Sequence, residues 1–361
     1  MKFDVGNYLN DITFLRRVVS LMGNQELIAE NRSPLFSICT PIYNCKKFLP
    51  DLFLSLKSQL DNSWELILVD DCSSDGLVDY LSNQPLIPAD QLLYLKNDHR
   101  LGPFSSRRRA INAACGEYII CIDADDTLIS NHALLDLRRI VECSSPDVIM
   151  FNMTRDLNSL DHFINYSAVF SQGNGFIDKK DITFAFINSY ELNNLASKAI
   201  RRPLFSDFDE VNLVINEDRF EFSNIISKAQ SFYLHNKPIY YYRINSNSTT
   251  ERLLSVDYFK QIVFIEEQIS LKYSFCNDDR FGQALCFLMS TDHILRSIAS
   301  SKKFGLTANA VFEVSQSTFF KEMLDIYKGQ KCPIVKKIAF YLLKNRFIKL
   351  CTFYYLLRSI V

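Results

Sequence analysis

The feature that most constrains this chain is an uncharged apolar run that ends in acidic residues. Residues 118–122 are apolar or aromatic, and Asp123, Asp125 and Asp126 follow within four positions. A run without charge predicts a strand buried on both faces, as in a parallel sheet that helices cover on either side. Ligands of open α/β sheets bind outside the carboxyl ends of the strands. The run therefore predicts a buried strand with a ligand site at its end.

The three acidic side chains favour a site over a purely structural role. Carboxylates this close together repel one another unless a cation or several hydrogen-bond donors lie among them. An acid after a strand often caps the next helix, but two caps cannot use three neighbouring carboxylates. Oxygen ligands suit Mg²⁺ or Mn²⁺, so a divalent cation with a phosphorylated ligand is the first interpretation. Asp125 is the expected metal ligand and Asp123 supports it, whereas for Asp126 a capping role alone remains open.

The segments before this run alternate between strand and helix. Strands are predicted at 35–40, 64–69 and 92–95, and helices after residue 44, near 77–82 and over 105–114. We expect Pro41 to break the first strand, because proline lacks the N–H that a ladder needs. The order β-α-β-α-β indicates parallel strands with helices packed on the sheet. The predicted fold class is α/β, with a mostly parallel central sheet and helices on both faces.

A second acidic pair follows the predicted strand at 64–69. Asp70 and Asp71 precede the 123–126 group by about fifty residues, and parallel strands would bring both groups to one edge of the sheet. For Asp70 and Asp71, a capping role and a site role are about equally favoured. The Ser-Ser-Asp sequence at 73–75 is expected to cap the next helix, because such side chains commonly accept hydrogen bonds from a first helical turn.

Three consecutive arginines, Arg107 to Arg109, lie on the predicted helix before the buried strand. Successive residues of a helix point about 100° apart, so the three side chains cannot all face one way. One or two are expected to face the acidic edge, where a planar guanidinium suits a diphosphate or a uracil carbonyl. For Arg108 and Arg109 we favour a solvated basic face.

Composition excludes some classes of partner and location. The net charge of −1 gives no reason to expect a nucleic-acid partner. Ten cysteines are scattered without a C-x-x-C pair, which is typical of reduced thiols in a cytoplasmic protein. Neither a signal peptide nor a bilayer-spanning apolar run is recognised. The expected location is the cytoplasm. Attachment to the inner face of the cell membrane is the alternative.

The two ends of the chain read as helical. Residues 1–33 predict a helical lead-in, and the pattern becomes helical again after about residue 250. Asp325 is the last acid, and lysines and arginines then alternate with apolar and aromatic residues over 328–361. A cationic amphipathic segment predicts contact with an anionic membrane surface. The alternative is a helix that docks on the rest of the protein with its lysines in water.

Four segments of the first half together resemble the family-two glycosyltransferases, which have the GT-A fold. Residues 37–44 resemble the opening strand and P-x-Y-N turn of that family, and residues 69–75 resemble its V-D-D-x-S-x-D segment. The spacing from 102 to 116 matches G-x(4)-R-x(8)-G, with Arg107 in the arginine position. Residues 122–126 are similar to its D-x-D motif. Arg108 replaces the asparagine that most members carry.

Fainter resemblances extend to about residue 250. Residues 195–205, which include Lys198, resemble a W-x-K-x-Y-R-R-x-x-F segment without its Trp and Tyr, and 238–243 resemble a Y-Y-Y-R ending. The resemblance implies a GT-A catalytic domain over 34–250, with a nucleotide-binding half at 34–130 and an acceptor-side half at 131–250. A helical region at 251–361 would follow. A donor role and a local structural role for Lys198 both remain open.

The resemblance also implies an activity and its residues. The expected enzyme is an inverting glycosyltransferase of bacterial surface polysaccharide synthesis, with a UDP-sugar donor, a glycan or lipid-linked acceptor and Mn²⁺ or Mg²⁺. Asp71 would contact the uracil edge. The expected nucleotide-sugar contacts are Pro41, Tyr43, Asp70, Asp71, Arg107, Asp123 and Ala124.

The general base is expected in the segment 216–220, which resembles the family's E-D motif. Asp218 is the candidate base, and it needs desolvation or the neighbouring charge of Glu217 to gain basicity. Without the resemblance, Glu217 and Asp218 would read as acids at a helix N-terminus. For Tyr240 to Tyr242, core packing is the favoured role.

Two other functions fit a nucleotide-binding sheet. A sugar-phosphate nucleotidyltransferase usually carries a Gly-rich basic loop after its first strand, and the Pro41 to Asn44 turn takes that place here. A non-catalytic nucleotide-sugar-binding scaffold would not need the acids at both 123–126 and 217–218.

Overall fold

The structure is a computed structural model that describes residues 34–84, 86–157, 162–206, 211, 213–244, 255–273, 280–327 and 334–358. The predicted lead-in at 1–33 lies outside the described residues, and so does the start of the basic segment at 328–333.

Ten strands and thirteen α-helices occur within the described residues. The strands are β1 Phe36–Ile42, β2 Trp64–Asp70, β3 Leu92–Lys96, β4 Tyr118–Cys121, β5 Thr127–Leu128, β6 Val148–Thr154, β7 His162–Ile164, β8 Gly175–Ile177, β9 Lys198–Arg201 and β10 Phe232–Tyr241. The helices are α1 Leu49–Lys57, α2 Leu77–Asn83, α3 Pro103–Ala113, α4 Ala133–Ser144, α5 Tyr166–Phe170, α6 Lys179–Asn188, α7 Glu217–Lys228, α8 Val256–Tyr273, α9 Phe281–Ser300, α10 Phe304–Gln316, α11 Thr318–Tyr327, α12 Ile334–Lys344 and α13 Ile348–Arg358.

The strands form one sheet in the order β3-β2-β1-β4-β9-β6-β10-β5, with β7 beside β6 and β8 beside β10. Strands β3, β2, β1 and β4 run parallel to one another, as the sequence predicts. Strand β9 runs antiparallel to both β4 and β6, while β6 and β10 are again parallel. The four parallel strands therefore bring the ends of β1, β2 and β4 to one edge.

The prediction that Pro41 ends the first strand is wrong, because β1 continues to Ile42. On one side of β1, Pro41 pairs with Val69 of β2. On the other side, the pairing with β4 stops at Cys39. Proline is tolerated here because the strand has lost a neighbour on one side before Pro41 is reached.

Alternating side chains of the central strands fill two layers of core. Ile38 and Leu66 belong to the layer that contains Leu52 of α1. Cys39 and Ile67, the next residues along β1 and β2, belong to the layer that contains α3 and α7. This alternation confirms the prediction of an α/β sheet covered by helices on both faces.

The C-terminal helices form a third cluster around α9, which is 20 residues long. They are joined to the sheet layers by a fully buried ion pair, in which Arg219 Nε of α7 lies 2.6 Å from Glu266 Oε1 of α8. Arg219 Nη1 also donates to the backbone oxygen of Phe186 at 2.8 Å. Of the helices described, none combines the length and the apolar character that crossing a membrane requires.

Candidate functional site

Arg107 lies at the centre of the edge where β1, β2 and β4 end. Its side chain is buried, and its Nη1 lies 2.7 Å from Asp218 Oδ1 and 3.7 Å from Glu217 Oε1. Its Nη2 lies 3.6 Å from Asp123 Oδ1. One guanidinium therefore joins the acids after β4 to the first turn of α7, and Arg107 is 111 positions from Asp218 in sequence. The structure brings these four predicted site residues together.

The loop before α3 is positioned by Asp71. Asp71 Oδ1 accepts hydrogen bonds from Leu101 N and Asn97 Nδ2, and Oδ2 accepts one from Gly102 N. Burial alone would raise the pKa of Asp71, but these hydrogen bonds lower it below its usual value. Gly102 has φ +88°, a conformation that strains other residues, and Pro103 then begins the helix. Asp71 thereby fixes the helix that carries Arg107, and its predicted uracil contact stays a prediction.

Arg100 is a feature that sequence reasoning missed. Its guanidinium lies 3.8 Å from the centre of the Tyr43 ring, and its Nε lies 3.9 Å from Asp71 Oδ2. The side chain is half exposed at the rim of the site. Arg100 belongs to none of the motifs, and only its position before Gly102 could have drawn attention to it. The structure thus covers the predicted nucleotide face of Tyr43 with a cation.

Asp70 is directed into the protein. Its Oδ1 accepts a hydrogen bond from Ser73 N at 2.7 Å, and its Oδ2 accepts one from the Tyr94 hydroxyl at 2.9 Å. A direct nucleotide contact of Asp70 stays a prediction, and the geometry shows a carboxylate that shapes the turn after β2.

The predicted capping role of residues 73–75 is wrong. Helix α2 begins after Gly76 without a side-chain cap. Instead, Ser73 Oγ accepts a hydrogen bond from Asn44 N, and Asp75 Oδ2 accepts one from Lys46 N. These side chains bind the turn after β1, because the turns after two parallel neighbours lie next to each other.

The acids after β4 occupy different environments. The Asp123 side chain is 45% exposed, Ala124 is buried, and Asp125 is partly exposed. Asp126 is buried, and its Oδ2 and Oδ1 accept hydrogen bonds from the Tyr240 hydroxyl at 2.6 Å and from Arg243 N at 2.8 Å. The two-residue strand β5, and not a helix, follows Asp126, so this acid holds the turn and caps no helix.

Tyr240 has a second role besides the predicted core packing. Its ring is buried in the core, while its hydroxyl also accepts a hydrogen bond from Asp123 N at 3.1 Å. The hydroxyl therefore fixes the turn that carries Asp123 and Asp125.

The exposed acids fit a hard divalent cation. Within the ranges that the structure describes, no three His, Cys, Asp or Glu side chains are placed to hold a metal ion by themselves. Asp123 and Asp125 offer two partly exposed carboxylates at the ligand edge, and carboxylate oxygens suit Mg²⁺ or Mn²⁺. Mg²⁺ commonly uses one or two carboxylates together with phosphate oxygens of a substrate. The donor set therefore fits an ion that binds together with a phosphorylated ligand.

Glu217 and Asp218 form the first turn of α7 but direct their side chains into the site. Asn216, at the N-cap position, makes no side-chain cap, and Asp218 Oδ2 accepts a hydrogen bond from Leu195 N at 3.2 Å. Burial and then the charge of Asp218 raise the pKa of Glu217 to about 7, although Arg107 opposes the shift. A carboxyl group with a pKa near 7 can take up and release a proton at neutral pH.

Residues 37–189 match the family described as Glycosyl transferase family 2. The match covers less than half of the chain.

Curated proteins that resemble part of this chain are glycosyltransferases. The chain is 32% identical over 138 residues to the putative teichuronic acid biosynthesis glycosyltransferase TuaG of Bacillus subtilis, which covers 37% of this chain and 54% of that protein. It is 30% identical over 123 residues to the poly(ribitol-phosphate) beta-N-acetylglucosaminyltransferase TarS of Staphylococcus aureus, which covers 33% of this chain and 21% of that protein. The chain thus spans about half or less of the length of these relatives.

A solved structure confirms the GT-A fold of this chain. The crystal structure of S. aureus TarS 1-349 in complex with UDP-GlcNAc superposes with a TM-score of 0.68 at 19% identity, over 89% of this chain and 90% of that one. At this identity the match establishes the fold alone.

Lys198 stabilises the local structure next to the site. It is fully buried, and its Nζ donates hydrogen bonds to the Tyr166 hydroxyl at 3.0 Å and to the backbone oxygen of Asn194. Burial lowers the pKa of Lys198 to about 7, while the charge of Asp218 opposes the shift. Because Asn194 precedes the backbone N–H that binds Asp218, Lys198 contributes to the local structure that positions this carboxylate.

The prediction that Arg108 and Arg109 are solvated is wrong. Arg108 Nη1 lies 3.2 Å from Oε1 of Glu221, a fully buried residue of α7. Arg109 Nη1 donates hydrogen bonds to Lys96 O at 2.7 Å and Asn97 Oδ1 at 2.8 Å. Helix α3 has protein neighbours on more than one side, so all three arginines find partners.

Glu221→Gln is expected to change how the stability of the protein depends on pH. Burial raises the pKa of Glu221 to about 7, although Arg107 and Arg108 oppose the shift. From about pH 4.5 to pH 7, the folded protein therefore retains a proton that the unfolded chain has released, so this group makes stability fall as the pH rises from 5 to 8. Glutamine does not titrate. As the pH rises from 5 to 8, the free energy of unfolding of the wild type should therefore fall by about 2 kcal/mol relative to that of the variant.

Urea denaturation at both pH values measures this change. Glu142→Gln, at a side chain that is 62% exposed, is the matched control and should show the same pH dependence as the wild type. If the free energies of unfolding of Glu221→Gln and the wild type differ by the same amount at both pH values, the raised pKa of Glu221 is contradicted.

Proposed function

We propose that this chain is an inverting glycosyltransferase that transfers a sugar from a UDP-sugar to a glycan or lipid-linked acceptor in bacterial surface polysaccharide synthesis. The observation that carries the proposal is the buried Arg107, which contacts Asp123 on one side and Glu217 and Asp218 on the other. Sugar transfer needs a region that neutralises the departing diphosphate and a base that deprotonates the acceptor. In this structure the acids after β4, on the proposed diphosphate side, and the acids of α7, which include the proposed base, contact the same guanidinium.

The acids after β4 form the diphosphate side. Asp125 and Asp123 would hold Mg²⁺ or Mn²⁺, and when bound the ion supplies Lewis-acid stabilisation of the charge that develops on the β-phosphate. Arg107 presents N–H groups of the kind that bind phosphate oxygens in pairs. Ala124, which is buried between the two acids, keeps their backbone close to the sheet edge.

The first turn of α7 forms the acceptor side. Asp218, with Glu217 beside it, accepts the acceptor's hydroxyl proton as the acceptor oxygen bonds to the anomeric carbon. The bond from that carbon to the diphosphate oxygen breaks, and the electron pair leaves with the diphosphate. Attack from the side opposite the leaving group inverts the anomeric centre.

Arg107 links donor binding to the base. In the structure its guanidinium lies 2.7 Å from Asp218 Oδ1, so this oxygen is occupied as a hydrogen-bond acceptor. A donor diphosphate would compete for the same N–H groups. The Asp218 oxygen would then be released for the acceptor hydroxyl once the donor is in place, which disfavours deprotonation before a sugar is available.

Pro41, Tyr43 and Asp71 form the proposed nucleotide side of the site. Tyr43 offers a flat ring at the end of β1, where the Arg100 guanidinium stacks. We expect the uracil ring to stack on Tyr43 in place of that guanidinium, with Arg100 moving toward the edge of the nucleotide. Asp70 would support this side through the turn after β2.

A thermal-shift experiment tests the proposal. UDP-sugars with Mn²⁺ are expected to raise the Tm of the wild-type protein, because a ligand at 100 times its Kd stabilises the folded state by about 2.7 kcal/mol. EDTA or Asp125→Asn should remove most of the shift. Asp178→Asn, at a side chain that is 73% exposed, is the matched control and should retain it.

The panel should include UDP-glucose, UDP-galactose and their N-acetyl forms, with UDP release as a second measurement. The absence of a shift with every nucleotide in the presence of metal would contradict the proposed function. A shift without UDP release in the presence of many acceptors would favour a binding scaffold.

A further inference from the structure

The C-terminal helices expose an apolar surface beside the one they bury. In this region, six large apolar side chains have exposed fractions between 47% and 62%. We call them the C-terminal apolar patch: Phe304, Tyr341, Phe347, Leu350, Phe353 and Leu357. An exposed group of this size marks an interaction site more often than it marks an ordinary surface.

Contacts show that the patch is continuous. Leu350, Phe353 and Leu357 lie at i, i+3 and i+7 on α13 and so share one face of the helix. The ring of Phe304, at the start of α10, lies 6.2 Å from the ring of Phe353. The Tyr341 ring of α12 lies at a similar distance from the ring of Phe347, just before α13 begins. Three helices therefore contribute to one surface.

The patch is not a core face left uncovered. The opposite face of α13 packs into the helical cluster through Cys351 and Tyr355, both of which are fully buried. The Tyr355 hydroxyl donates a hydrogen bond to Asp292 of α9. Helix α13 thus docks on the protein, as one of the two sequence-based interpretations expects, and still presents a second apolar face outward.

Basic side chains surround the patch. Lys302 and Lys303 precede Phe304, and Lys337, Arg346 and Lys349 lie on or beside α12 and α13, all of them exposed. The sequence has no acid after Asp325, whose carboxylate pairs with Lys344. An apolar surface with a cationic rim complements the surface of an anionic bilayer, where aromatic and aliphatic groups enter the interface and lysines contact the headgroups.

We propose that the C-terminal apolar patch and its basic rim bind the surface of an anionic membrane. A second copy of this chain fits less well, because a symmetric pairing would bring the two basic rims together. The inference concerns a surface outside the proposed catalytic site and does not depend on the proposed function.

Sedimentation of the full chain with lipid vesicles tests the proposal. Wild-type protein should pellet with vesicles of phosphatidylcholine and phosphatidylglycerol, and raised salt should weaken that binding. Vesicles of phosphatidylcholine alone should bind at least about tenfold more weakly, because each basic residue near an anionic surface adds to the attraction.

Two sets of variants separate the parts of the surface. Leu350→Glu with Phe353→Glu should weaken binding to anionic vesicles at least about tenfold, because both charges would enter the interface. Lys337→Gln, Arg346→Gln and Lys349→Gln together should weaken it about 100-fold. The matched controls are Phe184→Glu, at another exposed phenylalanine, and Lys180→Gln, at an exposed lysine of the same helix α6.

Both sets change exposed side chains, so Tm and far-UV circular dichroism should remain those of the wild type. Wild-type protein that fails to pellet with anionic vesicles would overturn the proposal. Binding that the patch variants and the control variants weaken equally would also overturn it. A dimer in solution that Leu350→Glu with Phe353→Glu dissociates, without vesicle binding by the wild type, would assign the patch to a second copy.

Discussion

Asp218→Asn is expected to lower kcat for sugar transfer by about 10³-fold, because a general base of this kind contributes 10² to 10⁴. The amide keeps the size of the side chain and can still accept the hydrogen bond from Arg107 through its oxygen, while its nitrogen, in the place of Oδ2, loses the one from Leu195 N. It cannot take the proton of the acceptor hydroxyl. The KM for the donor should change little, since the donor contacts lie on the other side of Arg107. UDP release with saturating donor and acceptor measures the effect.

Glu217→Gln distinguishes between the two neighbouring acids. If Asp218 is the base, Glu217→Gln should lower kcat less than Asp218→Asn does. If Glu217 is the base, it should lower kcat more, and the wild-type rate should rise with pH up to about 7, where Glu217 loses its proton. Asp178→Asn again controls for the substitution itself. Transfer by Asp218→Asn at the wild-type rate would contradict the assignment of the base.

Arg107→Met is expected to lower the free energy of unfolding by about 3 kcal/mol at pH 8, because it leaves three carboxylates around a buried site without their shared cation. Arg107 opposes the burial that raises the pKa values of Asp123 and Glu217, so without it both would hold protons still more tightly when folded than when unfolded. By linkage, the loss should shrink as the pH falls from 8 to 5. Urea denaturation at both pH values measures the loss.

The loss should be specific to the carboxylate contacts of Arg107. Adding Asp218→Asn to Arg107→Met should recover part of the stability, which a double-mutant cycle would show as a coupling. Arg139→Met, at a side chain that is 63% exposed, is the matched control and should change stability by less than about 0.5 kcal/mol. Equal losses for Arg139→Met and Arg107→Met would contradict the central position of Arg107.

Features within a few residues of one another in sequence were predictable. The apolar run at 118–122 and the polar ends of the first strands predict the sheet edge, because strand periodicity and parallel pairing are local rules. The resemblance of 216–220 to an E-D motif also placed Asp218 in the site. It did not give the ion pair with Arg107, because nothing in a single sequence specifies a contact across 111 positions.

The wrong predictions share a physical cause. Residues 73–75 have the composition of a helix cap, but a neighbouring turn offered their oxygens N–H donors that a one-dimensional pattern does not contain. Arg108 and Arg109 read as a solvated face because their partners come from α7 and from the end of β3. The core packing predicted for Tyr240 is confirmed, but the pattern did not indicate the hydrogen bond from its hydroxyl to Asp126, which is 114 positions away in sequence.

The ion pair between Arg219 and Glu266 has a consequence for how such chains can diverge. Arg219 directly follows the proposed base, and its partner lies on a helix beyond the predicted boundary at residue 250. A recombinant that joined this catalytic half to the helices of a relative without an acid at that place would bury an unpaired guanidinium, at a cost of about 3–5 kcal/mol. The two halves are therefore expected to be inherited together, and exchange between lineages should be confined to the whole unit.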